Sequence, residues 1–380
     1  MKKDMPSLQA NAWHPIFIFV GVSLPLALWK SALTSAKALS LQKPILWLLV
    51  LLAIPSFAKE GGNPKEEESI IKLNGVLEVG FDINDKVNKG TTEYNKIGYG
   101  QIGISARPVK KLRAEFDLEY DKKDSLITID KLYAQYNFAN FGSIRAGYMK
   151  KSFGLEEGAG LDERYFHKRS IVNDGLENFN IFGHDLTKHD LTLQYRHEFN
   201  KEWKMTGGIS WTDDSLRFLQ NYAIEYETKK TNLILAALIG HYTSTYDDYN
   251  LTAFATSLSF RHSAKLCVSE AELIFGNNPV AKIDENKKEF VFGARVQEYF
   301  PFEIPTKILT QIVPIAEAAF WTDKIKSDIF ETQLRAGLTF GFTKKSALQW
   351  RNTYGTILKF ENGNRELKRR RFDTEAVVIF

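Results

Sequence analysis

From Ile71 onward apolar and polar residues take turns along the chain. Ile71, Leu73, Leu77, Val79, Phe81 and Ile83 hold one phase, and Lys72, Asn74, Glu78 and Asp82 the other. A period of two is that of a β-strand with one apolar and one polar face. Leu112, Ala114, Phe116, Leu118 and Tyr120 repeat the pattern against Arg113, Glu115, Asp117 and Glu119. One such strand fits a water-soluble sandwich as well as a membrane barrel, because alternation alone does not say which face meets water.

The whole series separates the two. Strands are predicted near 70–83, 97–107, 112–120, 126–138, 143–151, 189–199, 203–211, 221–228, 231–242, 252–262, 268–276, 289–299, 305–321, 329–342, 346–357 and 370–380, about 16 in all. Short connections (Pro108 to Lys111, Asn200 to Glu202, Lys229-Lys230, Thr343 to Lys345) alternate with longer ones (Asn84 to Lys96, Thr212 to Gln220, Asn277 to Lys288, Leu358 to Arg370). An even strand count with this parity predicts an all-β fold, a closed antiparallel transmembrane barrel with short turns on the periplasmic side. The last strand places Phe372, Ala376, Val378 and Phe380 on one face. Its final Phe380 looks like the terminal aromatic signature by which the outer-membrane assembly machinery recognises its clients. Tyr120, Trp203, Trp211 and Tyr354, at predicted strand ends, suit girdles at the lipid interface.

Composition narrows the classes further. Charged residues make up 25% and aromatics 13%, mean hydropathy is -0.27, and after position 58 no apolar run approaches the roughly 20 residues of a membrane helix. The net charge of +4 comes from the first 58 residues, where Lys2, Lys3, Lys30, Lys37 and Lys43 face Asp4 alone; the remainder holds 45 basic and 45 acidic residues. That balance removes the electrostatic case for a nucleic-acid partner. Cys267 is the only cysteine, which excludes an intrachain disulfide and cysteine-based metal motifs.

Residues 1–58 read as a secretory signal region: Lys43, the apolar run Ile45 to Ile54, then Pro55-Ser56-Phe57-Ala58 with cleavage after Ala58. A second apolar stretch, Ile16 to Trp29, is interrupted by Pro25. It is either part of an upstream extension, 1–40, with translation starting near Leu41, or a membrane anchor. Residues 59–69 form a polar lead-in carrying Pro64, and the barrel is expected over 70–380.

One connection is too long for an ordinary loop. Ser152 to Lys188 follows the fifth predicted strand, so it is the third external loop, and it is far longer than the usual 15 or so residues. It carries Glu156, Glu157, Asp162, Glu163, Asp174 and Glu177 against Arg164, Lys168 and Arg169. An inward-folded constriction and an external flap are both open to it.

The hairpin before this loop carries a family resemblance. Ile129-Asp130-Lys131-Leu132-Tyr133-Ala134-Gln135-Tyr136, a turn at Asn140 to Gly142, and Ile144-Arg145-Ala146-Gly147-Tyr148-Met149-Lys150-Lys151-Ser152-Phe153-Gly154-Leu155-Glu156, with Glu163-Arg164 after it, resemble the phosphate-selective porin family of O and P type. The resemblance covers about 40 residues closely. It implies a trimeric 16-stranded pore, embedded in outer-membrane lipid, passing small hydrophilic solutes and preferring anions such as phosphate, with no cofactor. It also implies a third loop that narrows the barrel, making Arg145, Lys151, Arg164, Lys168 and Arg169 the candidate constriction residues. By strand phase, Arg113, Lys131, Arg196, Arg295, Arg335 and Arg351 would line the lumen, each either guiding anions or paired with a carboxylate.

An outer-membrane enzyme would need a nucleophile and base gathered at one rim. Only His184-Asp185 and His189-Asp190 tempt, and neighbours on a strand point to opposite faces. A non-conducting barrel serving adhesion or structure is the other alternative; it would show a plugged lumen or apolar external loops.

Overall fold

The computed structural model describes residues 70–121, 126–138, 142–158, 165–166, 168–177, 180–181, 184–185, 189–212, 215–243, 250–278, 289–323, 325, 329–342 and 347–380. The signal region 1–58, its extension 1–40, the lead-in 59–69, Glu163, Arg164 and the turn Thr343 to Lys345 lie outside these residues.

Sixteen long strands run β1 Ile70–Lys86, β2 Thr91–Val109, β3 Leu112–Asp121, β4 Leu126–Phe138, β5 Gly142–Lys150, β6 His189–Glu198, β7 Trp203–Thr212 and β8 Ser215–Glu227, then β9 Thr231–Thr243, β10 Asn250–Ser263, β11 Val268–Asn278, β12 Glu289–Tyr299, β13 Leu309–Thr322, β14 Phe330–Phe342, β15 Leu348–Glu361 and β16 Asn364–Ile379. Each pairs antiparallel with its sequence neighbours, and β1 pairs with β16 from Val76↔Ile379 to Asp85↔Arg370, closing the barrel. Closure leaves no edge strand with unpaired backbone groups, which is what a lipid environment demands. Every predicted strand is present.

The two faces are the reverse of a soluble protein's. Leu77, Val79, Phe81, Leu235, Leu273 and Leu334 point outward and are exposed, whereas Glu78, Glu272, Arg295, Glu317 and Arg351 point inward and are buried. Apolar outside with polar inside is the membrane-barrel arrangement, and it settles the ambiguity that alternation left open. Trp203 and Trp211 sit at or next to the ends of β7, as expected of girdle residues, and Trp203 packs on Tyr226 with ring centroids 4.9 Å apart. Tyr354 corrects the expectation, since it lies in the middle of β15.

Two external loops are corrected as well. Asn84 to Lys96 is a tight turn at Val87–Lys89 between strands of 17 and 19 residues, and Leu358 to Arg370 is a turn at Asn362-Gly363 between β15 and β16. Their polar strand ends stand beyond the apolar belt, where alternation fades but cross-strand bonding continues. The strand expected from 305 begins at Leu309, after a two-residue piece, Phe302–Glu303, that pairs with Ile312 and Gln311. Among described residues, the α-helices are α1 Leu155–Gly158 and α2 Ile171–Glu177, both in the third loop.

Candidate functional site

β5 ends at Lys150 and β6 begins at His189, so the third loop occupies residues 151–188. Its first turn shows why the family-like run has the residues it has. Lys151 is buried with its Nζ 2.8 Å from Asp190, which fastens the loop's start to the top of β6. Gly154 has φ of +73°, a left-handed conformation that costs glycine little, and its N–H donates to Ser257 Oγ at 3.2 Å. This turn sends the chain across the lumen to the far wall. There the Leu155 N–H donates to Glu272 Oε1 at 2.7 Å.

The far wall is prepared for it. The interior of a membrane barrel is ordinarily polar, yet the inner faces of β8 to β13 contribute Leu219, Ala223, Ala236, Leu238, Ala253, Ala255, Ile274, Val291, Ala319 and Trp321. Phe153, Ile171, Val172 and Leu176 of the loop pack into this patch. Fully burying each such side chain is worth about 1.5–3 kcal/mol. Among the described side chains of α2, Asp174 is the exposed one.

A charge network locks the same contact. Glu156 accepts hydrogen bonds from the Ser170 N–H, 2.7 Å, and hydroxyl, tying the loop's first turn to the start of α2. Its carboxylate lies 3.6 Å from Arg335 and 3.9 Å from Arg295. Arg335 binds Glu317 through two parallel contacts of 2.7 and 2.6 Å and donates to the Lys168 carbonyl at 2.5 Å. Its guanidinium also lies over Phe166, 4.2 Å from the ring centre. Arg295 contacts Glu317 at 3.3 Å and Glu270 at 3.1 Å. Burial by itself would raise the Glu156 carboxyl, but Arg295, Arg335 and Ser170 outweigh it and hold the group below the ordinary carboxylate value.

The remaining candidates divide by partner. Arg113 is paired with Glu115, Lys131 with Asp117 at 3.2 Å, Arg196 with Glu225 at 2.9 Å, and Arg351 with Glu78 and Glu375 at 3.8 and 3.7 Å. Arg169 donates to Asn173 at 3.2 Å. Among the described residues Arg145 has neutral company: it donates to Gln135 at 2.6 Å and lies 5.5 Å from the Tyr133 ring centre. Lys168 is exposed, and its carbonyl accepts from Arg335. His189 and Asp190 are drawn apart, to Asp130 at 3.2 Å and to Lys151. Glu270, Glu272 and Glu317, the acceptors of the network, were not among the expected site residues. Their lumen phase was readable in the sequence, but nothing in a linear pattern says which of many inward carboxylates meets the loop.

A closed barrel of 16 strands with an apolar exterior is the architecture of an outer-membrane barrel, and its inward-folded third loop is the site. No protein-family model matches the chain, and neither does any curated protein. Among solved structures it is similar to an anion-selective porin from Comamonas acidovorans, with TM-score 0.62 and 11% identity over 82% of this chain and 100% of that one. It is also similar to the outer membrane channel DcaP of Acinetobacter baumannii, with TM-score 0.57 and 13% identity over 84% and 100%. OmpT, an outer membrane protein of Vibrio cholerae in trimer form, has TM-score 0.56 and 13% identity over 83% and 100%.

Proposed function

We propose that the chain is an outer-membrane porin, a passive diffusion channel for small hydrophilic solutes rather than an enzyme. The observation that carries this is the third loop, which crosses inside the barrel and is held to the far wall by Glu156, Arg295 and Arg335. A loop fixed in the lumen narrows it, and a narrow passage with polar walls discriminates solutes by size and field.

Most candidate cations are neutralised by carboxylates, which favours weak selectivity over a phosphate-specific track. Arg145 and Lys168 have no carboxylate partner among the described residues, and they support a mild preference for small anions, phosphate included. Membership of the phosphate-selective porin family rests on the β4–β5 hairpin, and assembly as a trimer on that resemblance and on the trimer form of the Vibrio cholerae protein. The test is single-channel recording in planar bilayers under a salt gradient. Stepwise conductance with a small anion-directed reversal potential is expected. Folded protein without conductance would leave the non-conducting barrel as the better reading.

A further inference from the structure

One contact between the third loop and the wall is built around a single side chain, Trp321. Gly293 on β12 and Trp321 on β13 are register partners, and the Trp321 indole fills the space that a side chain at Gly293 would occupy. Gly175 of α2 also comes so near the indole that a methyl group there would overlap the ring. Val172, one turn earlier, also reaches the Gly293 position. Trp321 Nε1 donates to Asp323 at 2.6 Å, which fixes the ring's rotation. The indole is therefore clasped between a glycine of the loop and a glycine of the wall, and it is 6% exposed.

Such an arrangement does more than fill an apolar niche. The inner face of a porin wall has room for a leucine or a phenylalanine; a tryptophan that requires glycine on both sides fixes a distance. Packed interiors resist compression, so the indole, wedged against Gly175 and Gly293 beside Val172, limits how near α2 comes to the wall. We infer that Trp321 is a positioning residue that sets how far α2 projects into the lumen, and through it the size limit of the channel. The inference rests on the pore reading proposed above.

The two faces of the clasp make opposite predictions. Gly175→Ala pushes α2 away from the indole and into the passage. Trp321→Ala removes the spacer and lets α2 settle toward the wall. The experiment uses the full chain, with folding checked by heat-modifiable gel mobility. Single-channel conductance is then recorded, and vesicle swelling is measured with neutral sugars of increasing size.

Conductance is expected to fall roughly twofold in Gly175→Ala and to rise roughly twofold in Trp321→Ala, since flux follows pore dimensions. The larger sugars should enter faster in the second variant and slower in the first. Neutral sugars matter because a merely stabilising tryptophan would change the melting temperature without moving their size limit. If Trp321→Ala fails to fold, Trp321→Phe supplies the same comparison with a thinner spacer. Folded variants with wild-type conductance and size limit overturn the inference. A silent wild-type chain would instead overturn the pore reading beneath it.

Discussion

The ring of Phe380 lies over Gly75, its partner across the seam that closes the barrel. Their backbones exchange two hydrogen bonds, 2.9 and 3.0 Å, and a methyl group on Gly75 would fall within the ring. Gly75 shares the outward phase of Leu73 and Leu77, so the aromatic ring supplies the cover that the glycine lacks. Cross-strand aromatic contacts of this kind contribute up to about 1 kcal/mol. Phe380→Ala should therefore lower the unfolding free energy by an amount of that order, read as a lower urea midpoint in vesicles at unchanged slope. Gly75→Ala should destabilise too, by displacing the ring. Equal midpoints for Phe380→Ala and wild type would show that the ring adds nothing to the stability of the closed barrel.

Arg335 and Glu317 make the best-aligned pair of the loop latch, and both are buried. Breaking a buried pair typically costs about 3–5 kcal/mol when the other member is left uncompensated; here Glu317 keeps Arg295 at 3.3 Å, so only part of that cost is expected. Arg335→Met should lower thermal stability and also raise open-channel noise, since the Lys168 carbonyl loses its donor. Arg335→Met combined with Glu317→Leu should recover most of the stability but not the quiet channel. Melting curves and current records on the same preparations check both halves.

How much of this was readable beforehand depends on the range of the interaction. The alternation at Leu112 to Tyr120 gave the strand and both its faces, because a period of two needs nothing beyond the strand. The start and end of the third loop were placed within a residue or two, since alternation stops sharply at Lys150 and resumes at His189. The Asn362-Gly363 turn was missed although its signal was present: both residues have positive φ, +50° and +76°, as a two-residue type I′ hairpin requires, and Asn-Gly is its strongest sequence mark. The partners of Glu156 were beyond reach, since Arg295 and Arg335 lie far along the chain and meet it only once the barrel closes. Trp321 was likewise readable as an inward strand residue, but not as a spacer, because its two glycines come from separate elements.

The division of cations by partner predicts which of them ions feel. Arg145→Glu and Lys168→Glu should each move the reversal potential toward cations under a fixed salt gradient, by a readily measured amount at low salt and less at high salt, where screening lengths shorten. Arg113→Gln and Arg196→Gln should move it further per charge removed than their exposure suggests only if their carboxylates, Glu115 and Glu225, are thereby freed to act on cations. Lys151→Met should instead impair folding, since it strands Asp190 in a buried site. A reversal potential insensitive to Arg145 and Lys168 together would remove the basis for any anion preference.

Glu156 links the latch to pH. Arg295 and Arg335 hold its carboxyl below the ordinary 4.5 despite burial, and Glu270, Glu272 and Glu317 crowd the same two arginines. A carboxyl depressed in the folded state stabilises fully above its unfolded value, and that contribution disappears as pH falls through the depressed value. The latched loop should accordingly persist from neutral pH down to about 4.5 and loosen only in stronger acid. Glu156→Gln keeps the shape but not the charge, so it should show wild-type acid conditions already at neutrality: noisier current, an altered mean conductance and a flatter response to acid. Conductance and noise recorded from pH 7 to about 3 on both chains make the comparison. Parallel titration of the two would mean that the neighbouring carboxylates, and not Glu156, carry the acid response.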